Sequence, residues 1–164
     1  MKDRIELAKY FAELGLVVGA EVGVYKGGYS IELCKANPNL VLYCIDKWGI
    51  DDKTEKRRNL HMKIYNYAKR KLSPYNAIVV RDYSINAAKQ FNLLDFVYID
   101  ANHSYEEVSQ DIQAWAEKVR PGGIVSGHDY DFTDVKKAVD EYVIKNNYKL
   151  NTTEDQNCSW WFVK

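Results

Sequence analysis

Short apolar runs alternate with stretches in which apolar positions recur every three or four residues. The first pattern fits buried strands and the second amphipathic helices. Leu7, Phe11 and Leu14 fall at helical spacing over residues 3–14, and Gly15 is a natural stop. Val17–Val24 is an apolar run leading into Gly27 and Gly28, which reads as a strand before a tight turn. A helix over 29–36 closes at Asn37-Pro38, and Leu40–Ile45 is a second strand ending on Asp46. Residues 52–72 predict a long charged helix with Leu60, Ile64, Ala68 and Leu72 on one stripe. Ala77–Val80 predicts a third strand ending at Arg81-Asp82, Ser84–Phe91 a short helix, and Phe96–Ile99 a fourth strand ending on Asp100.

The next helix carries its own start signal. Ser104 and Glu107 form S-x-x-E, a capping box in which each side chain serves a free backbone N–H. Val108, Ile112, Trp115 and Val119 follow on one face, and Pro121-Gly122-Gly123 is the stop. Ile124–Ser126 predicts a fifth strand before Gly127-His128-Asp129. A helix over 133–146 bears Val135, Val139, Tyr142 and Val143, and Tyr148–Thr152 with Cys158–Val163 reads as a closing β-hairpin. Strand–helix alternation of this kind specifies an α/β fold: a mostly parallel sheet with helices on both faces. Such sheets bind ligands beyond the carboxyl ends of their strands. Five acids collect there: Glu21, Asp46, Asp82, Asp100 and Asp129.

The 164 residues fit one domain, 1–164, with no repeat and no linker. Lys+Arg and Asp+Glu both number 23, so the chain lacks the positive excess of a general nucleic-acid or membrane-surface binder. A local basic patch remains at Lys56, Arg57 and Arg58. Cys34, Cys44 and Cys158 lie far apart without metal spacing, as expected of thiols in a reducing compartment. The N-terminus has no signal-peptide core, and no apolar run reaches membrane length. These features lead us to expect a soluble, cytoplasmic protein.

The first turn reads Glu21-Val22-Gly23-Val24-Tyr25-Lys26-Gly27-Gly28-Tyr29-Ser30. Glycines at 23 and 27 let the backbone bend sharply and approach a ligand, and the helix that follows offers free N–H groups. This is not G-x-G-x-x-G, because Tyr25 stands where a dinucleotide's pyrophosphate needs a glycine. The turn therefore suits a ligand without a pyrophosphate. Asp46, ending the second strand, stands where an acid accepts ribose hydroxyls in this architecture.

Together, EVGVYKGGYS, CIDKWG and DFVYIDANHSYEEVSQDIQAWAEKVRPGGIVSGHDY resemble class I S-adenosylmethionine-dependent methyltransferases of the bacterial small-molecule type, over roughly residues 15–145. The resemblance implies a Rossmann-like three-layer α/β/α sandwich whose seven-stranded sheet is mostly parallel with an antiparallel last strand. It also implies that Glu21, Gly23, Gly27 and Ser30 line the methionine part of the cofactor. Asp46 would then bind the ribose and Trp48 flank the adenine, with Asp82 and Tyr83 at the adenine edge and Asp100 beside the cofactor.

Methyl transfer needs an aligned nucleophile, a place for its proton and exclusion of water. In the implied topology the fourth and fifth strands are neighbours, so Asp100, Asn102 and His103 face His128 and Asp129. Two readings stand. Asp100, His128 and Asp129 hold a divalent cation, Mg²⁺ or Mn²⁺, that orients an acceptor hydroxyl. Alternatively His103 or His128 is the general base, with Asp100 beside it. Each histidine also has a plain structural role open to it, His103 beside the helix cap and His128 packed in its turn.

Ile99-Asp100-Ala101-Asn102-His103 lacks the prolines common in N-methyltransferases, which favours an oxygen acceptor; the resemblance implies a small molecule such as a sugar or another polyhydroxylated compound. Residues 47–72 read as a lid or substrate segment, or as a plain solvated face, and a homo-oligomer would let a second copy complete it. The rival functions are a cofactor-binding module without catalysis and a nicotinamide oxidoreductase. A P-loop is absent, since no GK[ST] occurs.

Overall fold

A computed structural model describes residues 1–164. Helix α1 (Arg4–Glu13) starts where Asp3 accepts the N–H groups of Ile5 and Glu6, and it buries Leu7, Ala8 and Phe11. β1 (Val18–Val22), α2 (Gly28–Ala36) and β2 (Val41–Asp46) follow. α3 (Glu55–Leu72) is capped by Thr54 and leads to the edge strand β3 (Ala77–Arg81). The remaining elements are α4 (Ser84–Ala88), β4 (Leu94–Ile99), α5 (Tyr105–Ala116), β5 (Val119–Gly127), α6 (Thr133–Asn146), β6 (Asn151–Thr152) and β7 (Trp160–Val163).

The seven strands form one sheet in the order β3-β2-β1-β4-β5-β7-β6. β1 to β5 run parallel, and β7 is antiparallel to β5 and β6. This is the Rossmann-like three-layer arrangement expected. Alternation in β4 divides the core: Val97 and Ile99 face Ile112, Trp115 and Val139 of α5 and α6, while Phe96 and Tyr98 face Phe11, Leu33 and Ala68 of α1, α2 and α3. Gly19 has no side chain because the Phe96 ring fills that space, 2.2 Å from where a Cβ would stand.

Several boundaries depart from the sequence pattern. α5 ends at Ala116, and Val119 belongs to β5, paired with Leu94. Its burial fits a helical stripe, but it reaches the same core from the sheet. Pro121-Gly122-Gly123 lies inside β5, where the register with β4 shifts, and Gly123 passes too near the Asp95 carbonyl for any Cβ. Leu60 is 55 % exposed, so the buried stripe of α3 is Ile64, Ala68 and Leu72. The capping box is half formed. Ser104 Oγ accepts from Glu107 N, but Glu107 meets the Ser104 hydroxyl, and the Ser104 N–H goes to Asn102 Oδ1 at 3.0 Å. No helix is long and apolar enough to cross a membrane.

Candidate active site

The strand order reverses between β1 and β4, and there the first loop meets the segment after β4. Gly23, at φ 93°, lies so close that a Cβ would stand 1.9 Å from the Asp100 carbonyl oxygen. Its missing side chain thus makes room for the chain's own backbone. Beside this contact opens a cleft of about 500 Å³, within the usual range of ligand sites. Gly23, Asp46, Asp82, Tyr83 and Asp100 line it, as do Asn102 and the α5 residues Glu107, Gln110 and Asp111.

Asp46 clamps the two loops at one end of the cleft. Its carboxylate accepts the N–H of Tyr25 at 2.7 Å and of Trp48 at 2.8 Å. Tyr25 and Trp48 both adopt positive φ, 50° and 34°, which side chains disfavour and which these bonds help to hold. Trp48 itself is buried, packs on Tyr65 and donates its indole N–H to the Tyr25 carbonyl at 2.8 Å. It does not line the cleft, so this structure offers it no face toward an adenine. Glu21 and Ser30 lie beneath the first loop, hydrogen-bonded to each other and off the cleft surface. Burial pushes the Glu21 carboxyl up to about 8, opposed by the Ser30 bond. Gly27 caps α2 at φ 77° and likewise stays off the cleft wall.

At the other end, Asp129 sits between two imidazoles. His103 Nε2 lies 2.8 Å from its Oδ2 and His128 Nδ1 3.1 Å from its Oδ1. Asp129 is a left-handed residue, φ 58°, and its carboxylate is nearly closed from solvent, whereas the His103 side chain is 46 % exposed. The His128 backbone N–H is held by the Ile99 carbonyl at 3.0 Å, which fixes the turn after β5 against β4. Asp100 completes the group, with Oδ1 3.8 Å from His128 Nδ1 and Oδ2 3.5 Å from Arg4. Burial raises the Asp100 pKa, and the facing His128 opposes it. Ligand atoms of Asp100, His103 and Asp129 lie within 4.8 Å of one another, a spacing that suits a cation. His128, the histidine that the sequence suggested for such a trio, also stands close, 3.8 Å from Asp100 and 3.1 Å from Asp129.

The sequence model of a methyltransferase-domain family matches residues 20–130. The chain belongs to that family. No curated protein matches its sequence. Among solved structures, the O-methyltransferase NovP is 18% identical with a TM-score of 0.72, over 98% of this chain and 79% of that one. An O-methyltransferase from Bacillus cereus, solved in complex with SAH, is 13% identical with a TM-score of 0.70, over 98% and 80%. An rRNA methylase from Streptococcus thermophilus is 16% identical with a TM-score of 0.70, over 100% and 98%. At these identities the likeness is one of fold. This methyltransferase is thus of the S-adenosylmethionine-dependent class that its motifs resemble.

The site of the methyltransferase contains residues that the strand-end rule did not supply. Glu107, Gln110 and Asp111 form the α5 wall. Burial pushes Asp111 up to about 6, against its bond from Ser84 Oγ at 2.5 Å. The helical period could have placed the three residues on one side of α5, but not against a cleft. Lys47 and Asp51 form an ion pair of 3.1 Å on the opposite rim. Arg4 comes from the first turn of α1, nearly a hundred positions from its partner Asp100, and carried no motif.

Proposed function

We propose that this methyltransferase transfers a methyl group from S-adenosylmethionine to a hydroxyl of a small molecule, with His103 as the general base. The observation that carries the reading is the Asp129-bound, solvent-open His103 beside a strongly acidic cleft. Asp46, Asp51, Asp82, Asp100, Glu107 and Asp111 line that cleft, against Lys47 as the cation. Such a field favours a cationic sulfonium and opposes both the pyrophosphate of a nicotinamide dinucleotide and a phosphodiester backbone.

The fit of the cofactor rests on the chain's own groups. Asp46 stands at the end of β2 with each oxygen already taking one backbone N–H, and each keeps a further lone pair for a ribose hydroxyl. Tyr83, 39 % exposed on the cleft wall, offers an aromatic surface to an adenine, a role Trp48 cannot take from the core. When bound, the cofactor supplies an activated methyl group on a sulfonium.

The residues at the reacting end manage the acceptor proton. With Nε2 against the Asp129 carboxylate, the His103 imidazole would take the hydroxyl proton at its other ring nitrogen, while Asp129 stabilises the imidazolium that results. His128 fixes Asp129 from behind. Phe132, 5.1 Å from the His103 ring and edge-on to it, limits where that ring can turn.

A second reading keeps the same acceptor with a different activator. The 4.8 Å spacing of Asp100, His103 and Asp129 would hold a divalent cation that lowers the pKa of a bound hydroxyl. Segment 47–72 would act as a lid over the cofactor side, since Lys47 and Asp51 reach the cleft beside Asp46. The test is transfer of labelled methyl from S-adenosylmethionine to a panel of sugars, catechols and amines, with and without a chelator. Transfer to a hydroxyl that survives chelation supports the base, and transfer lost with the chelator and restored by Mg²⁺ or Mn²⁺ supports the cation. Labelling of amines alone would overturn the oxygen acceptor.

A further inference from the structure

We propose that Trp160 holds one buried water molecule against Asp100 and Asp129, and through it positions the acids of the reacting end. The positioning role rests on the general-base reading; the water site does not.

Trp160 lies in β7 opposite Gly127 of β5 and is 1 % exposed. Its indole fills the space that a side chain at Gly127 would need. A Cβ there would stand 2.6 Å from Cζ2 and 2.7 Å from Cε2, the carbon that bears Nε1. The N–H edge therefore lies beside the Gly127-His128-Asp129 turn. Two other buried indoles are satisfied, since Trp48 donates to the Tyr25 carbonyl and Trp115 to Ser84 Oγ, each at 2.8 Å. Trp160 Nε1 is the one buried side-chain nitrogen or oxygen that meets no hydrogen-bond partner in the chain. A buried donor without a partner is costly, and native structures rarely tolerate one.

Trp160 borders a cavity of about 10 Å³, the room that a single water needs. Asp100, His128 and Asp129 line its polar side, and Val108 and Val135 its apolar side. This lining selects the occupant. An indole N–H only donates, so the group that satisfies it must accept, which a metal cation or an ammonium cannot do. Two carboxylates face the same space, which opposes an anion. A neutral molecule that both accepts and donates fits, and at this volume that molecule is water. It accepts from Trp160 and donates to the carboxylates of Asp100 and Asp129. His128 Nδ1 and Asp100 Oδ1, 3.8 Å apart, are beyond direct hydrogen-bonding distance, as groups that share a water often are.

The water gives Asp129 a third tie. Its two oxygens already face His103 and His128, and the water links it to β7 as well. Trp160 does not line the larger cleft. It acts through Asp129, as a positioning residue.

The water is tested in the wild-type protein without cofactor, by magnetic cross-relaxation between the isotope-labelled, assigned indole N–H of Trp160 and the solvent resonance. We expect the direct contact of a long-lived bound water, and an N–H without that contact overturns the site. The role is tested by Trp160→Phe, which keeps a ring and removes the donor. It should lower kcat by roughly 3- to 30-fold and leave S-adenosylhomocysteine affinity within about twofold. In an Asp129→Asn background the same substitution should change kcat by less than about twofold. Equal losses in the two backgrounds, or a matching fall in affinity, would make Trp160 a packing residue and overturn the role. The wild-type spectrum decides the site even where Trp160→Phe does not fold. A wild type that methylates no hydroxyl would sink the base reading and the role with it, while the spectrum still decides the water.

Discussion

At one end of the cleft Asp46 spends its carboxylate on two backbone N–H groups, those of Tyr25 and Trp48. At the other end Asp129 spends its carboxylate on two side chains, those of His103 and His128. Both acids follow a strand, and positive-φ residues mark both ends, yet the consequences differ. A carboxylate bound to backbone shapes loops, so changing it moves the surface a ligand rests on. A carboxylate bound to imidazoles sets ring orientation and charge, so changing it leaves that surface in place. On the proposed reading the first end serves binding and the second moves a proton.

The largest expected effect removes the contrast altogether. Gly23→Ala drives a Cβ into the Asp100 backbone, which lies between the two ends and cannot swing aside as a side chain would. We expect loss of both S-adenosylhomocysteine binding and turnover, together with a lowered melting temperature. Wild-type binding in this variant would mean that the first loop and the β4 end are not coupled.

The paired substitutions Asp46→Asn and Asp129→Asn separate the ends. Asp46→Asn should weaken S-adenosylhomocysteine binding by roughly 10- to 100-fold, because an amide cannot accept at both oxygens. Asp129→Asn should leave that affinity within about threefold and lower kcat by about 10²- to 10⁴-fold, the usual worth of general acid–base catalysis. Equal loss of affinity in both variants would erase the distinction.

A buried acid beneath the loop gives a pH signature. Burial raises the Glu21 pKa from 4.5 to about 8. Between those values the folded chain holds a proton that the unfolded chain has released, so stability falls as pH rises through the window and levels above it. Glu21→Gln keeps an acceptor for Ser30 and removes that charge. It should flatten the profile and stabilise the protein by about 2–4 kcal/mol at pH 8 in denaturant melts. An unchanged slope would show that the carboxylate is not buried in solution.

The smallest effect sharpens the sugar end. Trp48→Phe removes one indole hydrogen bond to the Tyr25 carbonyl, which should cost about 1 kcal/mol of stability and leave cofactor affinity nearly unchanged. A large loss of affinity would instead return Trp48 to the ligand surface.

Period and strand-end position made most of this fold legible. The parallel strands, the two helical layers and the closing hairpin follow from alternating patterns that tertiary packing did not override, and the antiparallel setting of the last strand was implied by the resemblance. Val119 misled because a buried residue just past a helix can keep the helical spacing while it joins the next strand. Pro121 and the glycines after it look like a terminator, and here they relieve a register shift inside β5. At the site, Asp46, Asp82 and Asp100 were readable because they end a strand or directly follow one, where the cleft opens, and Asp129 because it lies two residues past β5. Trp48 was not, since a positive φ turns its ring into the core. His103 and His128 were both visible, but which of them stands open to solvent depends on the left-handed turn at Asp129. Arg4 had no local signal, because only the fold brings α1 to the end of β4.

The most direct test of the account is a calorimetric titration of the metal-stripped protein with S-adenosylhomocysteine, run on the wild type, Asp46→Asn and Asp129→Asn. We expect saturable single-site binding by the wild type and by Asp129→Asn, and strongly weakened binding by Asp46→Asn. A folded wild-type protein that gives no binding heat across several temperatures would contradict the cofactor assignment, and full affinity in Asp46→Asn would contradict the place given to the ribose.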